Sequence, residues 1–404
     1  FSIGFWTSTK QVACCITGEH GQSTSDVGEV TRDDVVVQMT NPGVPAGTLF
    51  SGEITGVTSS TVSLSWTGTT NSEKFTAYNF YGSGVSNATV LTESITNNKT
   101  ISGDYNFLIS ATTMRNIDEP RDRVDLSIGF AERSTPTQMC AGIGQRNAET
   151  TTEVRGVVRN DAIAARPIFG DRLTIGTWSS ASLYLTASST SATKYFVALA
   201  MNLDTDAEVF IDTINLPTST GNNDYTDANF QASMGWLLLT NQDTVNTIQD
   251  TTNAGVFGFG SVDNSGPDVD RSYCISSKDA QSLSVEKTLT NTKIETLDAD
   301  GTSDLDADAT LESTGLRLAA TTALSSSALG VLCLVKGTST SAGGPTAAFD
   351  YSPTSPTTAD TINFYDTSSG DGVDAITGWD WDWGDDTSNG STQNPTHTYS
   401  VPGD

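Results

Sequence analysis

The densest run of potential ligands is Leu297-Asp298-Ala299-Asp300-Gly301-Thr302-Ser303-Asp304-Leu305-Asp306-Ala307-Asp308. Carboxylates at alternate positions around a glycine turn can offer several hard oxygen atoms to a calcium ion. Asp298, Asp300, Asp304 and Asp306 are the candidate ligands. The EF-hand spacing is not met, because no Glu falls at the closing position. The run also reads as an acidic, solvated loop ahead of a strand beginning at Ser313. Asp380, Asp382, Asp385 and Asp386 make a second carboxylate cluster, with cation binding and plain turn formation as its two readings. No other cofactor is implied.

Covalent chemistry finds little to work with. His20 and His397 are the only histidines, and a Ser-His-Asp or Cys-His site needs one beside a nucleophile. His20 sits in a Gly-Glu-His-Gly turn, and His397 has the setting of a packing or turn residue. The five cysteines, Cys14, Cys15, Cys140, Cys274 and Cys333, form no CxxC pair. There is no P-loop, GxSxG, HExxH or dinucleotide fingerprint. The expectation is a protein that is not an enzyme. Asn87, Asn98 and Asn389 each head an N-x-S/T triplet and are candidate glycosylation sites.

Charge narrows the partners. Lys plus Arg number 20 against 48 Asp plus Glu, a net charge of −28 over 404 residues. Neutralising phosphates takes clustered cations, so nucleic acid is disfavoured, and so is an anionic membrane surface. No apolar run approaches the roughly 20 residues of a spanning helix, so no membrane insertion is expected. The acid is spread along the chain, as on a solvated surface. A surface this acidic and poor in lysine suits high salt, where screening removes self-repulsion; a halophilic or marine source and an ordinary extracellular one both fit.

The elements that would position these residues are strands. Short β-branched and aromatic runs with period two alternate with Gly, Asn, Asp, Ser and Thr clusters. One strand pair recurs three times. It is Ser2-Ile3-Gly4-Phe5 with Cys15-Ile16-Thr17, then Ser127-Ile128-Gly129-Phe130 with Cys140-Ala141-Gly142-Ile143, then Phe257-Gly258-Phe259 with Cys274-Ile275-Ser276. Polar knots follow at Arg32-Asp33-Asp34, Arg159-Asn160-Asp161 and, more weakly, Thr290-Asn291-Thr292. The knots read as clasps between loop and strand, with a ligand site as the other reading. Each repeat then ends in two strands: Ser60–Trp66 with Lys74–Tyr78, Ser180–Leu185 with Lys194–Leu199, and Ser313–Leu318 with Leu329–Leu334. Equal Gly-Phe to Cys spacing in the first two repeats places Cys15, Cys140 and Cys274 at one position, each a small buried residue. Asp243–Thr251 could hold a turn or two of helix.

Repeats imply one structural unit used several times. Two further apolar runs precede the second and third copies but not the first. The expected division is a partial sandwich at 1–84, sandwich repeats at 85–204 and 205–338, a Gly/Ser/Thr linker at 339–344 and a last module at 345–404. A half sandwich leaves open edges, so a preceding segment or another chain is expected to complete the first repeat, and a homo-oligomer is one way to do it.

The last module carries Trp379-Asp380-Trp381-Asp382-Trp383-Gly384-Asp385-Asp386 and then Asn394-Pro395-Thr396-His397-Thr398-Tyr399. Alternation gives that first strand an aromatic face and an acidic one. The WDWGD and P-x-H-x-Y elements, in this order, resemble the polycystic-kidney-disease (PKD) domain over nearly the whole module. The resemblance implies an immunoglobulin-like sandwich. That family has one more strand after the Pro-Gly turn, which implies a longer protein than one ending at Asp404. The threefold unit in turn resembles repeats in structural proteins of tailed phages and archaeal viruses.

The fold expected is therefore all-β, with tandem antiparallel β-sandwich domains and a C-terminal immunoglobulin-like (PKD) sandwich. The function expected is that of a virion structural protein: a tail, fibre, turret or capsid-decoration component on the virion exterior, serving as spacer and host-surface adhesion element. Its partners would be other virion or surface proteins and host-surface carbohydrate. A secreted or cell-surface adhesin, a surface-layer protein, and the non-catalytic region of a secreted hydrolase are the alternatives.

Overall fold

The computed structural model describes residues 2–18, 27–40, 48–57, 61–68, 85–113, 119–121, 123–146, 154–189, 193–250, 255–263, 270–277, 284–290, 292–297, 302–337, 347–369, 376, 378–385 and 387–401. Every regular element among them is a strand. The chain forms two compact bodies, Phe1–Gly337 and Thr338–Asp404. The strand expected at Lys74–Tyr78 and the linker at 339–344 lie outside the described residues.

In the first repeat the strands are β1 (Ser2–Trp6), β2 (Gln11–Gly18), β3 (Val27–Arg32), β4 (Val37–Thr40), β5 (Thr48–Val57) and β6 (Val62–Gly68). The second holds β7 (Val85–Ile95), β8 (Lys99–Ser102), β9 (Phe107–Thr113), β10 (Glu119–Arg121), β11 (Arg123–Glu132), β12 (Thr137–Arg146), β13 (Val154–Arg159), β14 (Ala164–Arg166), β15 (Asp171–Trp178), β16 (Ser182–Ala187) and β17 (Lys194–Leu203). The third holds β18 (Glu208–Asn215), β19 (Gly221–Tyr225), β20 (Met234–Thr240), β21 (Gln249–Asp250), β22 (Gly255–Asp263), β23 (Arg271–Ser277), β24 (Ser284–Thr290), β25 (Ile294–Leu297), β26 (Ser303–Glu312), β27 (Gly315–Thr322) and β28 (Leu329–Lys336).

The second repeat pairs an inner sheet, β7-β17-β9-β11-β12-β13, with an outer sheet, β8-β16-β15-β14. The third does the same with β18-β28-β20-β22-β23-β24 and β19-β27-β26-β25. Strand for strand the two antiparallel orders coincide. The first repeat follows the plan from its fourth position onward, with β1-β2-β3 inside and β4-β5-β6 outside.

Burial explains which strands alternate and which do not. Outer strands show period two: in β26, Leu305, Ala307, Ala309 and Leu311 point into the sandwich between Asp306, Asp308 and Thr310. The central inner strands lose the alternation: β9 is buried at all seven positions and β28 at all but its last. Such runs mark a sheet covered on both faces. Leu237 and Leu239 of β20 face the outer sheet of their own repeat, whereas Trp236 and Leu238 face away from it. Those outward faces meet in one apolar cluster shared by all three repeats, from Phe5, Val12 and Cys14 through Phe107 and Phe130 to Trp236, Phe257 and Val331. Trp236 of the third repeat stacks at 6.3 Å from Phe107 and 6.2 Å from Phe130 of the second. The repeats are therefore packed on a common core rather than strung as separate beads.

The Gly-Phe motif has a steric cause. A Cβ on Gly4 would lie 1.7 Å from the Val36 carbonyl oxygen, and one on Gly129 would lie 2.0 Å from that of Ile163. In both repeats the chain leaving the knot crosses the strand at this point, and only glycine admits it. This crossing also corrects the cysteine alignment. Gly4 pairs with Ala13, Gly129 with Cys140 and Gly258 with Cys274. Ala13, not Cys15, is the equivalent of Cys140 and Cys274, because the first hairpin is two residues shorter between these partners. Cys15 sits one step further along the same strand face. All five cysteines are buried, and none forms a disulfide. Burial pushes those of Cys14 and Cys140 up to about 12, so they pack as small hydrophobes.

The second body carries β29 (Phe349–Ser352), β30 (Ile362–Asp366) and β31 (Thr396–His397) in one antiparallel sheet. Ile362 and Phe364 are buried. The aromatic segment Trp379–Trp383 does not form the extended strand expected of it; it makes a single bridge, Trp381 to Gly390.

Candidate functional site

The acidic run changes character in three dimensions. Asp298 and Asp300 lie outside the described residues, and the part from Ser303 onward is strand β26 rather than loop. Asp304 and Asp306, as alternate residues, share one face of that strand. Asp306 is engaged by Lys293 Nζ at 2.7 Å and by the Thr321 hydroxyl at 2.9 Å. The expected Ser313 strand begins instead at Gly315, after a turn. Among the described residues no group of three or more His, Cys, Asp or Glu side chains is placed to hold a metal ion.

In the second body the carboxylates close local turns. Asp382 accepts from the Gly384 amide at 3.0 Å, and Asp380 accepts from Asn389 Nδ2 at 2.8 Å. Asp385 accepts from the Thr387 amide at 3.2 Å and contacts His397 Nε2 at 2.8 Å. The Thr387 and His397 hydrogen bonds hold its carboxyl below the usual carboxylate range. His397 stacks on Trp383 at 4.6 Å and meets Tyr399 edge-on at 4.7 Å, which is a packing environment. Trp381 and Trp383 stack at 6.1 Å over Phe364, with Phe349 against Trp381 at 5.4 Å. Phe349, Tyr351 and Tyr365 remain 53%, 45% and 48% exposed. His20 lies outside the described residues. Of the glycosylation candidates, Asn87 is exposed on β7, Asn98 accepts from the Ala187 amide at 3.1 Å, and Asn389 donates through Nδ2, the atom a glycan would take.

The best-built constellation is one that composition alone does not reveal. Arg159 sends Nε and Nη2 to the two carboxylate oxygens of Asp161, at 2.7 and 2.9 Å. This two-point pair is planar and charge-assisted, and it holds the Asp161 carboxyl below its usual range. Arg159 Nη1 reaches the Asn246 carbonyl at 3.4 Å. Asn246 belongs to the connection between β20 and β22 of the next repeat. Its amide donates to the Val158 carbonyl at 2.8 Å, its Nδ2 donates to Asn160 Oδ1 at 2.6 Å, and its Oδ1 accepts from the Asn160 amide at 3.2 Å. Asn246 takes φ +63°, a conformation Asn tolerates better than most residues. Three residues later β21 adds to the edge of β13, with Gln249 opposite Gly156 and Asp250 opposite Arg155. No helix forms over 243–250 in the stretch that could have held a turn or two, and residues 249–250 are this crossing strand.

The same event occurs one repeat earlier. β10, from the connection between β9 and β11, adds to β3 with Glu119 opposite Glu29 and Pro120 opposite Gly28. Glu29 and Gly156 both stand three residues before the knot arginine, so the register is the same. Arg32 forms the corresponding two-point pair with Asp34. The second knot therefore clasps repeat to repeat, not merely loop to strand, and the first stands beside an equivalent crossing strand. A signal was available: Asn116 precedes Glu119 by three residues, as Asn246 precedes Gln249. Asn116 itself lies outside the described residues.

A buried acid reinforces the first junction. Asp125 is fully buried, its amide donates to Glu29 Oε2 at 3.2 Å, and its Oδ1 accepts from the Ile168 amide at 3.0 Å. Its Oδ2 has no hydrogen-bond partner. Burial raises its pKa well above the usual value, more than Ile168 and Arg166 lower it. The folded state therefore holds this proton more tightly than the unfolded chain. The stabilising contribution is full below the ordinary carboxyl pKa of 3.8 and is lost as pH rises through the raised one. Stability measured against pH is expected to fall more steeply in the wild type than in Asp125→Asn over the window that opens upward from 3.8. Urea titrations of both proteins across that window check it; parallel curves would remove Asp125 from the account.

Comparison of the chain with models of protein families, with curated proteins and with solved structures returns no match.

Proposed function

We propose that the chain is a non-enzymatic structural protein of a virion, with the N-terminal body as spacer and the C-terminal body as a host-facing adhesion element. The observation that supports this most directly is the pair of cross-repeat clasps. The conserved register of β10 on β3 and of β21 on β13 uses backbone hydrogen bonds to tie each repeat to its predecessor. Such ladders resist shear along the chain, which suits a component that holds a position. The buried thiols of Cys14, Cys140 and Cys333, whose pKa burial raises, and the stacked His397 fit the same reading.

The C-terminal body supports the adhesive part. Its WDWGD and P-x-H-x-Y segments resemble the PKD domain, and Phe349, Tyr351 and Tyr365 offer exposed rings. Aromatic faces with polar neighbours suit sugar rings, so host-surface carbohydrate is the ligand class. Immuno-electron microscopy with antibodies against residues 347–401 tests the assignment. Label at regular, symmetry-related positions on purified particles is the expected result. Label on cell envelopes with none on particles would overturn it in favour of a cell-surface adhesin.

A further inference from the structure

Each junction in the N-terminal body is head to tail. With the strands of a repeat counted in chain order and the crossing strand left out, the half of an inner sheet made by the fourth to sixth packs on the first, tenth, third and fourth of the next repeat. Thus β1–β3 lie on β7, β17, β9 and β11, and β11–β13 lie on β18, β28, β20 and β22. The connection before the fourth strand then crosses back to the sixth strand of the preceding repeat. A heterologous contact of this kind, repeated, either closes or propagates.

Two positions in the series stand open among the described residues. β24, the sixth strand of the third repeat, has no strand on its outer edge, where β3 and β13 have β10 and β21. β1, a fourth strand, has no third strand beside it, where β11 has β9 and β22 has β20. The apolar face next to β24 is correspondingly half-covered. Phe259, Tyr273 and Ile275 are intermediate in exposure, whereas their equivalents Phe130, Met139 and Ala141 are buried beneath the third repeat. The first and third repeats both pack on the same face of the middle sheet, so a segment seated on β1 need not cross a sheet to reach β24.

We propose that these two open positions are one docking site, filled by the front half of a unit of this same topology delivered into β1. Its third strand pairs with β1, and its following connection adds to β24. By the register of the two existing junctions that connection meets β24 at Ser284, the residue equivalent to Gly156 and Glu29. The chemistry of recognition is given by the junction between the second and third repeats. Phe107 and Trp236 occupy the same place on their third strands, and Trp236 stacks on Phe130 at 6.2 Å. The occupant carries an aromatic side chain at that place, stacked on Phe259. The inference holds whether or not the chain belongs to a particle.

Residue 255 is equivalent to residue 1, so a copy of residues 205–254 can be joined directly to Phe1 in register. Hydrogen–deuterium exchange of the chain with and without this extension tests the proposal. In the unextended chain, β24 and β1 amides are expected to exchange at least about tenfold faster than those of β13 and β3. The extension is expected to slow both strands by a similar factor, and replacing the Trp of the added copy by Ala is expected to reverse the change. A second extension, a copy of residues 85–125, guards against a mismatch of side chains. If neither extension protects β24, the proposal is wrong. Protection of β24 already present in the dilute, unextended chain would show the edge occupied from within, and protection that rises with concentration would assign it to a second copy; either result overturns it.

Discussion

Replacing Asp171 by Asn is expected to destabilise the N-terminal body by about 3–5 kcal/mol, the usual result of stripping one partner from a buried ion pair. Asp171 lies between two buried cations. Arg166 donates from Nε to Oδ1 at 2.7 Å and from Nη2 to Oδ2. Lys194 Nζ approaches Oδ2 at 3.1 Å and donates to the Ser189 carbonyl at 2.7 Å. Arg166 and Lys194 are each 1% exposed. The Asn side chain keeps the shape but leaves both cations without their counter-charge. Lys194→Met is expected to do less harm, because burial already lowers the lysine pKa and its removal leaves Arg166 and Asp171 paired. Urea unfolding followed by the β-sheet circular dichroism signal measures both. A loss under about 1 kcal/mol for Asp171→Asn would mean that water reaches the triad, and the argument would fail.

The second large effect concerns the glycines under the knots. Gly129→Ala is expected to lose about 3 kcal/mol, at the upper end of ordinary overpacking, because the new methyl would stand 2.0 Å from the Ile163 carbonyl oxygen. Neither atom is the tip of a flexible side chain, so the backbone of β11 or of the crossing segment has to shift. Gly258→Ala is the internal control. Its methyl would meet Leu239 and the Tyr273 carbonyl at 3.2 Å, a tight contact that small movements relieve. A loss of about 1 kcal/mol or less is expected there, partly offset by the roughly 0.4–1 kcal/mol that Gly→Ala gains through the unfolded chain. Equal losses at the two positions would show that the crossing carbonyl is not what requires glycine.

Much of the architecture was legible. The period-two pattern of Leu183 and Leu185, and the recurrence of Gly-Phe with its following strand, were enough for tandem antiparallel sandwiches. Their lateral packing was legible only in a signal not read that way. Met234–Thr240 and Leu329–Lys336 are apolar without alternation, because Trp236 and Cys333 enter the shared cluster while Leu237 and Leu334 enter the sandwich. The cysteine alignment failed because counting residues across a hairpin ignores how many belong to the turn, and pairing register corrects it by two. The clasp residue Asn246 was missed for a different reason. Its effect depends on a left-handed backbone and a partner 86 residues away, neither of which a local pattern encodes. The triad at Asp171 left no trace in the repeats, since Arg166 is matched by Leu297 in the third copy and Met39 in the first.

The crossing of β10 and β21 to the preceding repeat also fixes an order of assembly. A chain emerging from the ribosome can fold β1–β3 early, but Glu29 waits for Asp125, 96 residues downstream, before its place at the junction is filled. Each repeat is thus finished by the arrival of its successor. Nascent chains would carry a ragged border that migrates toward the C-terminus as synthesis proceeds. Long-range pairing of this sort slows folding, and the unfinished border is the part most exposed to wrong partners in the meantime.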